Sequence, residues 1–169
     1  FKTSIPEAEI KKRVKALADR INNDMADKNP LLLVMLNGSF VFAADLMREI
    51  TVPAEITFVK MSSYAGTSST GTVKQLIGLN DDIKGRTIII VEDIIESGLT
   101  MKAILAQLAE KQPEAIHICT LLLKPDCLET ELDIRYTAFE IPNDFIVGYG
   151  LDYDQQGRNL KDIYTVVEE

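Results

Sequence analysis

The chain has 169 residues, 46% of them hydrophobic, enough for one domain (1–169) with a substantial core and not for two. A formal net charge of −8 and a pI near 4.7 argue against a sequence-independent grip on nucleic acid, which draws its affinity from Lys and Arg on phosphates. Cys119, Cys127 and the single His117 are too few and wrongly spaced for a disulfide framework or structural zinc, and they fit a reducing cytoplasm. No apolar run approaches membrane-spanning length, and no signal-peptide pattern opens the sequence, which begins at Phe1 rather than Met.

Ser4-Ile5-Pro6-Glu7 has the pattern of a capping box with proline in the first turn. Ile10, Val14, Leu17, Ile21 and Met25 follow at helical spacing, so an amphipathic helix is predicted to end near Lys28-Asn29-Pro30. Leu31 to Leu36 is a short, uniformly apolar strand. It leads through Asn37-Gly38-Ser39 into a second helix marked by Phe42, Leu46 and Ile50. A strand from about Glu55 to Met61 follows Pro53. The composition then changes to Ser62-Ser63-Tyr64-Ala65-Gly66-Thr67-Ser68-Ser69-Thr70-Gly71-Thr72. Such a run buries too little surface to offset its ordering entropy, yet it sits inside a compact domain, which suits either a mobile functional lid or a hairpin tip. A strand near Val73 to Ile77 returns from it.

Thr87 to Val91 is β-branched throughout and bounded by Lys84-Gly85 and Ser97-Gly98, the pattern of a strand buried on both faces of a parallel sheet. Its far end carries Glu92, Asp93 and Glu96. Unpaired carboxylates are expensive to bury, so these belong where the strand leaves the core, which in open α/β sheets is the ligand crevice. Ser97-Gly98-Leu99-Thr100 opens the next helix, whose free N–H groups and positive dipole end suit a phosphate. An acidic pair for a sugar diol beside such a nest describes a reader of ribose 5-phosphate.

Met101, Ile104, Leu105 and Leu108 mark that helix, which stops before Pro113. Ala115 to Leu123 is a near-continuous apolar strand ending at Lys124-Pro125-Asp126; His117, alone in mid-strand, reads as structural. Further strands are expected at Ile134 to Phe139, Phe145 to Gly150 and Ile163 to Val167. Alternating strands and helices give a doubly wound, mainly parallel α/β sheet flanked by helices. Asn37-Gly38-Ser39, Ser63-Tyr64, Glu92-Asp93-Glu96 and Lys124 all fall at strand carboxyl ends. Neither G-x-x-x-x-G-K-[ST] nor G-x-G-x-x-G occurs, which argues against an NTPase or a dinucleotide oxidoreductase. A phosphoacceptor signalling domain needs an acidic pair after the first strand, where this chain has Asn37.

Val91-Glu92-Asp93-Ile94-Ile95-Glu96-Ser97-Gly98-Leu99-Thr100 resembles the phosphoribosyl-pyrophosphate signature of the type I phosphoribosyltransferases, in particular the hypoxanthine and hypoxanthine-guanine enzymes. Leu36-Asn37-Gly38-Ser39-Phe40 with Ala44-Asp45-Leu46 resembles that family's pyrophosphate loop and following helix, and Ser63-Tyr64 the opening of its mobile catalytic loop. Lys124-Pro125 and Phe145 to Tyr153, with Arg158 beyond, resemble its purine-binding end. The resemblance runs from about residue 30 to 165 and implies a small C-terminal purine-binding hood.

It further implies magnesium-dependent transfer of ribose 5-phosphate from phosphoribosyl pyrophosphate to N9 of hypoxanthine or guanine, giving IMP or GMP and pyrophosphate in purine salvage. Glu92 and Asp93 would face the ribose hydroxyls and their magnesium, and Glu96, Ser97, Gly98, Leu99 and Thr100 would hold the 5-phosphate. Lys124 would donate to the purine O6, Phe145 would stack on the ring and the Ile146 main chain would read its edge. Asp152 would take a second magnesium, with Leu36, Asn37, Gly38 and Arg158 around the pyrophosphate. A cytoplasmic homodimer or homotetramer without nucleic-acid or membrane partners is implied as well.

Physical chemistry supports these roles. Magnesium prefers carboxylates plus substrate phosphates, the transition state is cation-like at the ribose, and a donor aimed at O6 selects oxo over amino purines. Two positions depart from the family pattern: Glu96 stands where aspartate is usual near purine N7 as general acid or base, and Asn37 where lysine is common. The competing readings are a transferase for xanthine or a pyrimidine, and a non-catalytic nucleotide-sensing RNA-binding regulator of the same fold.

Overall fold

The computed structural model describes residues 1–65 and 72–167. Among them, a six-stranded sheet of order β4-β3-β2-β5-β6-β7 forms the centre. Its strands are β2 (Leu31–Met35), β3 (Glu55–Ala65), β4 (Thr72–Ile77), β5 (Thr87–Ile95), β6 (Ala115–Leu123) and β7 (Tyr136–Glu140). All neighbours are parallel except β4, which returns antiparallel along β3. Side chains of β2 point alternately to the two faces, and both faces are covered. Leu32 and Val34 join Ile89 and Val91 in a core with helices α1 (Glu7–Asp24) and α2 (Phe40–Glu49), and Leu31, Leu33 and Met35 join Ile88 and Ile90 in a core with α3 (Leu99–Ala109). Burial on both faces is why these strands are apolar runs rather than alternating ones.

The helices bury the residues that their periodicity marks: Ile10, Val14, Leu17 and Ile21 on α1, Phe42 and Leu46 on α2, and Met101, Ile104 and Leu108 on α3. His117 stands outside the ligand crevice with Arg135 against its ring, 3.4 Å from Nε2. Burial and that guanidinium both hold its pKa below the usual value.

Two sequence expectations are corrected in the smaller sheet and the helix beside it. Ser4 does not cap α1. Lys2–Ile5 forms β1, which pairs antiparallel with β9 (Ile163–Thr165), and β9 in turn pairs with β8 (Ile146–Val147). The first helical N–H, of Glu7, instead donates to Asp162 Oδ1 at 2.7 Å. An acceptor from the far end of the chain thus does what the local box was expected to do. The small hood expected at the C-terminal end is this three-stranded sheet of order β1-β9-β8, to which the N-terminal Lys2–Ile5 adds a strand. Second, the strand expected across Phe145 to Gly150 is only Ile146–Val147, because Gly148 and Gly150 have φ of +106° and +99° and Tyr149 of +50°. β3 is longer than expected and carries the backbone of Ser63 and Tyr64, paired with Lys74 and Val73 of β4. The remainder of the Ser/Thr/Gly run, and with it the expected lid, lies outside the described residues.

Candidate functional site

The carboxyl ends of β2, β5 and β6 open onto one rim. At β5 the backbone continues as strand through Glu92 and Asp93 and bends at Glu96 to Gly98. The two acids hold their own backbone turn: the Asp93 N–H donates to Glu92 Oε1 at 3.1 Å, and the Ile94 N–H to Asp93 Oδ1 at 2.8 Å. Burial pushes the Glu92 carboxyl well above its usual pKa, and the like charge of Asp93 adds to the shift.

After the acids, Ser97 Oγ accepts from the Leu99 N–H at 3.2 Å, and Gly98, at φ +82°, turns the chain into α3. A Cβ on Gly98 would lie 2.8 Å from Leu132 Cδ1 and 3.1 Å from Thr130 Cγ2. The segment that crowds it is anchored by the Glu129 N–H on the Ser97 carbonyl at 2.9 Å. Glu92, Glu96, Ser97, Gly98 and Thr100 together line a hollow of about 210 Å³ at the start of α3, the end of a helix whose first N–H groups lack intrahelical partners and suit an anion.

At β2 the chain passes through a cis Leu36–Asn37 peptide into Gly38. Ser39 is buried and its hydroxyl donates to the Met35 carbonyl. A Cβ on Gly38 would fall 1.9 Å from Asp93 Oδ2, and a Cβ on Gly150 would fall 2.6 Å from the Gly38 carbonyl oxygen. The loop after β2 is thus seated between the acidic strand end on one side and the hood on the other, with no room for a side chain at either contact.

At β6, Lys124 is 5% exposed. Its N–H donates to the Ile95 carbonyl at 3.0 Å, which fixes its Cα beside the acidic strand. Its Nζ donates to Glu96 Oε2 at 3.1 Å and to Asn143 Oδ1 at 3.3 Å. A buried ammonium needs such partners. Phe145, by contrast, is 59% exposed, a large apolar ring left in solvent. Tyr153 stands edge-on to it with ring centroids 5.7 Å apart. Asp93, Glu96, Lys124, Phe145, Ile146 and Asp152 line one cleft of about 330 Å³. Asp93 and Glu96, suggested by the sequence for a sugar, therefore share this opening with Lys124, Phe145 and Ile146, suggested for a base.

Asp152 and Arg158 pair with each other, Arg158 NH2 lying 3.6 Å from Asp152 Oδ1, while Arg158 NH1 donates to the Gly150 carbonyl at 2.8 Å. Among the described residues, no three His, Cys, Asp or Glu side chains converge as a metal cage. Two adjacent oxygen-donor carboxylates fit magnesium nonetheless, because that ion takes one or two carboxylates and fills its remaining positions from phosphates and water.

The model for the phosphoribosyl transferase domain matches residues 5–154. The chain belongs to the phosphoribosyl transferase family. It is 42% identical over 165 residues to the hypoxanthine-guanine phosphoribosyltransferase of Mycobacterium bovis, covering 94% of this chain and 82% of that protein. It is 44% identical over 166 residues to the hypoxanthine phosphoribosyltransferase of Salmonella typhimurium, covering 96% and 93%. The crystal structure of a hypoxanthine-guanine phosphoribosyltransferase from Bacillus anthracis, solved with a HEPES molecule in the active site, superposes with a TM-score of 0.88 at 38% identity over 99% of both chains.

Sequence reasoning gave no individual role to several residues that the structure of this phosphoribosyltransferase brings to the site. Asn143 reaches Lys124, Gly150 packs on Gly38, and Tyr153 stands against Phe145. Gly150 and Tyr153 lay within the Phe145 to Tyr153 stretch that resembles the purine-binding end, whereas Asn143 depends on chain segments meeting in space. The Gly38 contact makes a direct prediction. Gly38→Ala should displace the Asp93 carboxylate and lower kcat/KM about 100-fold, the scale of an ångström of misplacement at a reacting centre. Circular dichroism should show an intact fold, and near-normal kinetics would mean that the seat of this loop on Asp93 is not used.

Proposed function

We propose that this phosphoribosyltransferase transfers ribose 5-phosphate from phosphoribosyl pyrophosphate to N9 of hypoxanthine and of guanine, releasing pyrophosphate. The observation that carries the reading is the cleft in which a buried lysine, an exposed aromatic ring and the acidic end of β5 face one another. Lys124 offers an N–H to O6, and a purine with an amino group there would leave that donor unpaired, which favours oxopurines over adenine. Phe145 gives the base a flat apolar face, backed edge-on by Tyr153. Ile146, held in β8 against Thr165 of β9, presents main-chain groups to the edge of the base.

On the sugar side, Glu92 and Asp93 accept from the ribose hydroxyls and favour the positive charge that develops at the anomeric carbon as the pyrophosphate bond stretches. The N–H groups at Ser97 to Thr100 hold the 5-phosphate. Leu36, Asn37 and Gly38 flank the leaving pyrophosphate, and Arg158 turns from Asp152 to its charge. Glu96 accepts or returns a proton at the purine ring. Glu92, Asp93 and Asp152 would hold magnesium, which when bound neutralises pyrophosphate charge that an acidic protein otherwise repels.

Mixing the purified protein with phosphoribosyl pyrophosphate, magnesium and each base in turn tests this reading. Pyrophosphate should appear with hypoxanthine and guanine and be at least about 100-fold slower with adenine, the scale of rejection when a buried donor is left unpaired. Lys124→Met should erase that preference. Turnover confined to xanthine or a pyrimidine, or none with any base, would overturn it, the latter in favour of a non-catalytic nucleotide binder.

A further inference from the structure

An ammonium has three N–H donors and no acceptor. On Lys124 two of these are engaged, by Glu96 Oε2 and Asn143 Oδ1, so the direction of the third is set by where those two acceptors sit. The acceptors differ in character. Glu96 has a side chain 54% exposed and lies beyond the end of β5. Asn143 lies in the turn from Pro142 to Phe145, which is fastened at both ends: the Ile141 N–H donates to the Leu123 carbonyl at 2.8 Å, and the Val166 N–H to the Phe145 carbonyl at 2.8 Å. Within it the Asp144 N–H donates to the Pro142 carbonyl at 2.8 Å. One short anchored turn therefore delivers both the amide oxygen on the lysine and the ring of Phe145, two residues later.

We infer that Asn143 is a positioning residue for the base: its amide oxygen fixes Lys124 Nζ relative to Phe145, so that the free N–H meets O6 of an oxopurine lying on that ring. The inference rests on the reading of Lys124 as the O6 donor. The choice of an amide is physically apt. Glu96 already supplies one negative charge to the ammonium, and a neutral acceptor orients the group without drawing more of its charge from the third N–H.

Steady-state kinetics of Asn143→Leu, Asn143→Ser, Asn143→Asp and Lys124→Met, with hypoxanthine and phosphoribosyl pyrophosphate varied in turn, test it. Asn143→Leu, and Asn143→Ser with its shorter reach, should raise the KM for hypoxanthine about 10-fold, as loss of a hydrogen bond to a charged group does. Neither should move the KM for phosphoribosyl pyrophosphate, and the preference for hypoxanthine over adenine should fall. Asn143→Asp, which keeps an acceptor, should restore the hypoxanthine KM to within about threefold of the parent. If Asn143→Leu leaves the hypoxanthine KM unchanged while Lys124→Met raises it, the inference fails and the reading of Lys124 stands. If Lys124→Met has no effect either, both fail. A rise in both KM values with a lowered midpoint and no rescue by aspartate would make Asn143 a fold residue and overturn its positioning role.

Discussion

Glu96→Gln should lower kcat by about 100- to 10,000-fold, the usual contribution of a positioned proton acceptor, with the KM for hypoxanthine nearly unchanged. The second half of that expectation comes from the tertiary contact. Glu96 Oε2 is an acceptor for Lys124 Nζ, and the amide oxygen of glutamine can keep that hydrogen bond while losing the capacity to take a proton. Glu96→Asp should divide the other way. The carboxylate and its basicity survive, but the shorter side chain gives up reach toward the lysine, so kcat should hold while the hypoxanthine KM rises. A glutamine variant with parental kcat would remove Glu96 from the proton step and leave it as a partner of Lys124 alone.

Glu92→Gln should make the ligand-free protein more stable and the enzyme nearly inactive. Burial and the neighbouring Asp93 both raise the Glu92 pKa in the folded chain, so the folded state binds a proton that the unfolded state has released. Stability associated with this group is therefore complete below the ordinary carboxylate range and declines as the pH climbs toward the raised value. The full cost applies above it. Glutamine carries no such cost. At a pH above the raised value the thermal midpoint should increase by about 2–8 °C, the shift that one or two kcal/mol gives in a chain of this size, and the gain should vanish in acid. Magnesium with phosphoribosyl pyrophosphate should stabilise the parent through mass action and the variant much less. Differential scanning calorimetry across pH measures all of this. An unchanged or lowered midpoint at high pH would show that the Glu92 charge is already satisfied in the ligand-free protein.

These two acids also show what could be read from sequence. Ile88 to Val91 announced itself because a strand buried on both faces must be apolar at every position, and these four residues do lie in the two cores. Carboxylates terminating such a run are costly unless they reach the crevice, so Glu92, Asp93 and Glu96 were placed with no knowledge of the rest of the fold. Lys124 was legible for the same reason at the end of β6. The three helices followed from periodic apolar residues, since a helix on a sheet buries one stripe.

What the sequence by itself determined was therefore the parallel α/β sheet, the order of its strands and helices along the chain, and the polar groups at its carboxyl ends. Each of these is imposed by local periodicity and by the cost of burying charge. The tertiary structure alone decided how those ends are joined into a site. Asp162 caps α1 from the other end of the chain, β1 and β9 close the hood together, Gly150 seats the loop at Gly38, and Asn143 steadies Lys124. Such contacts link residues far apart in the chain through single hydrogen bonds or close approaches, and one acceptor or one missing side chain leaves no periodic trace in a sequence.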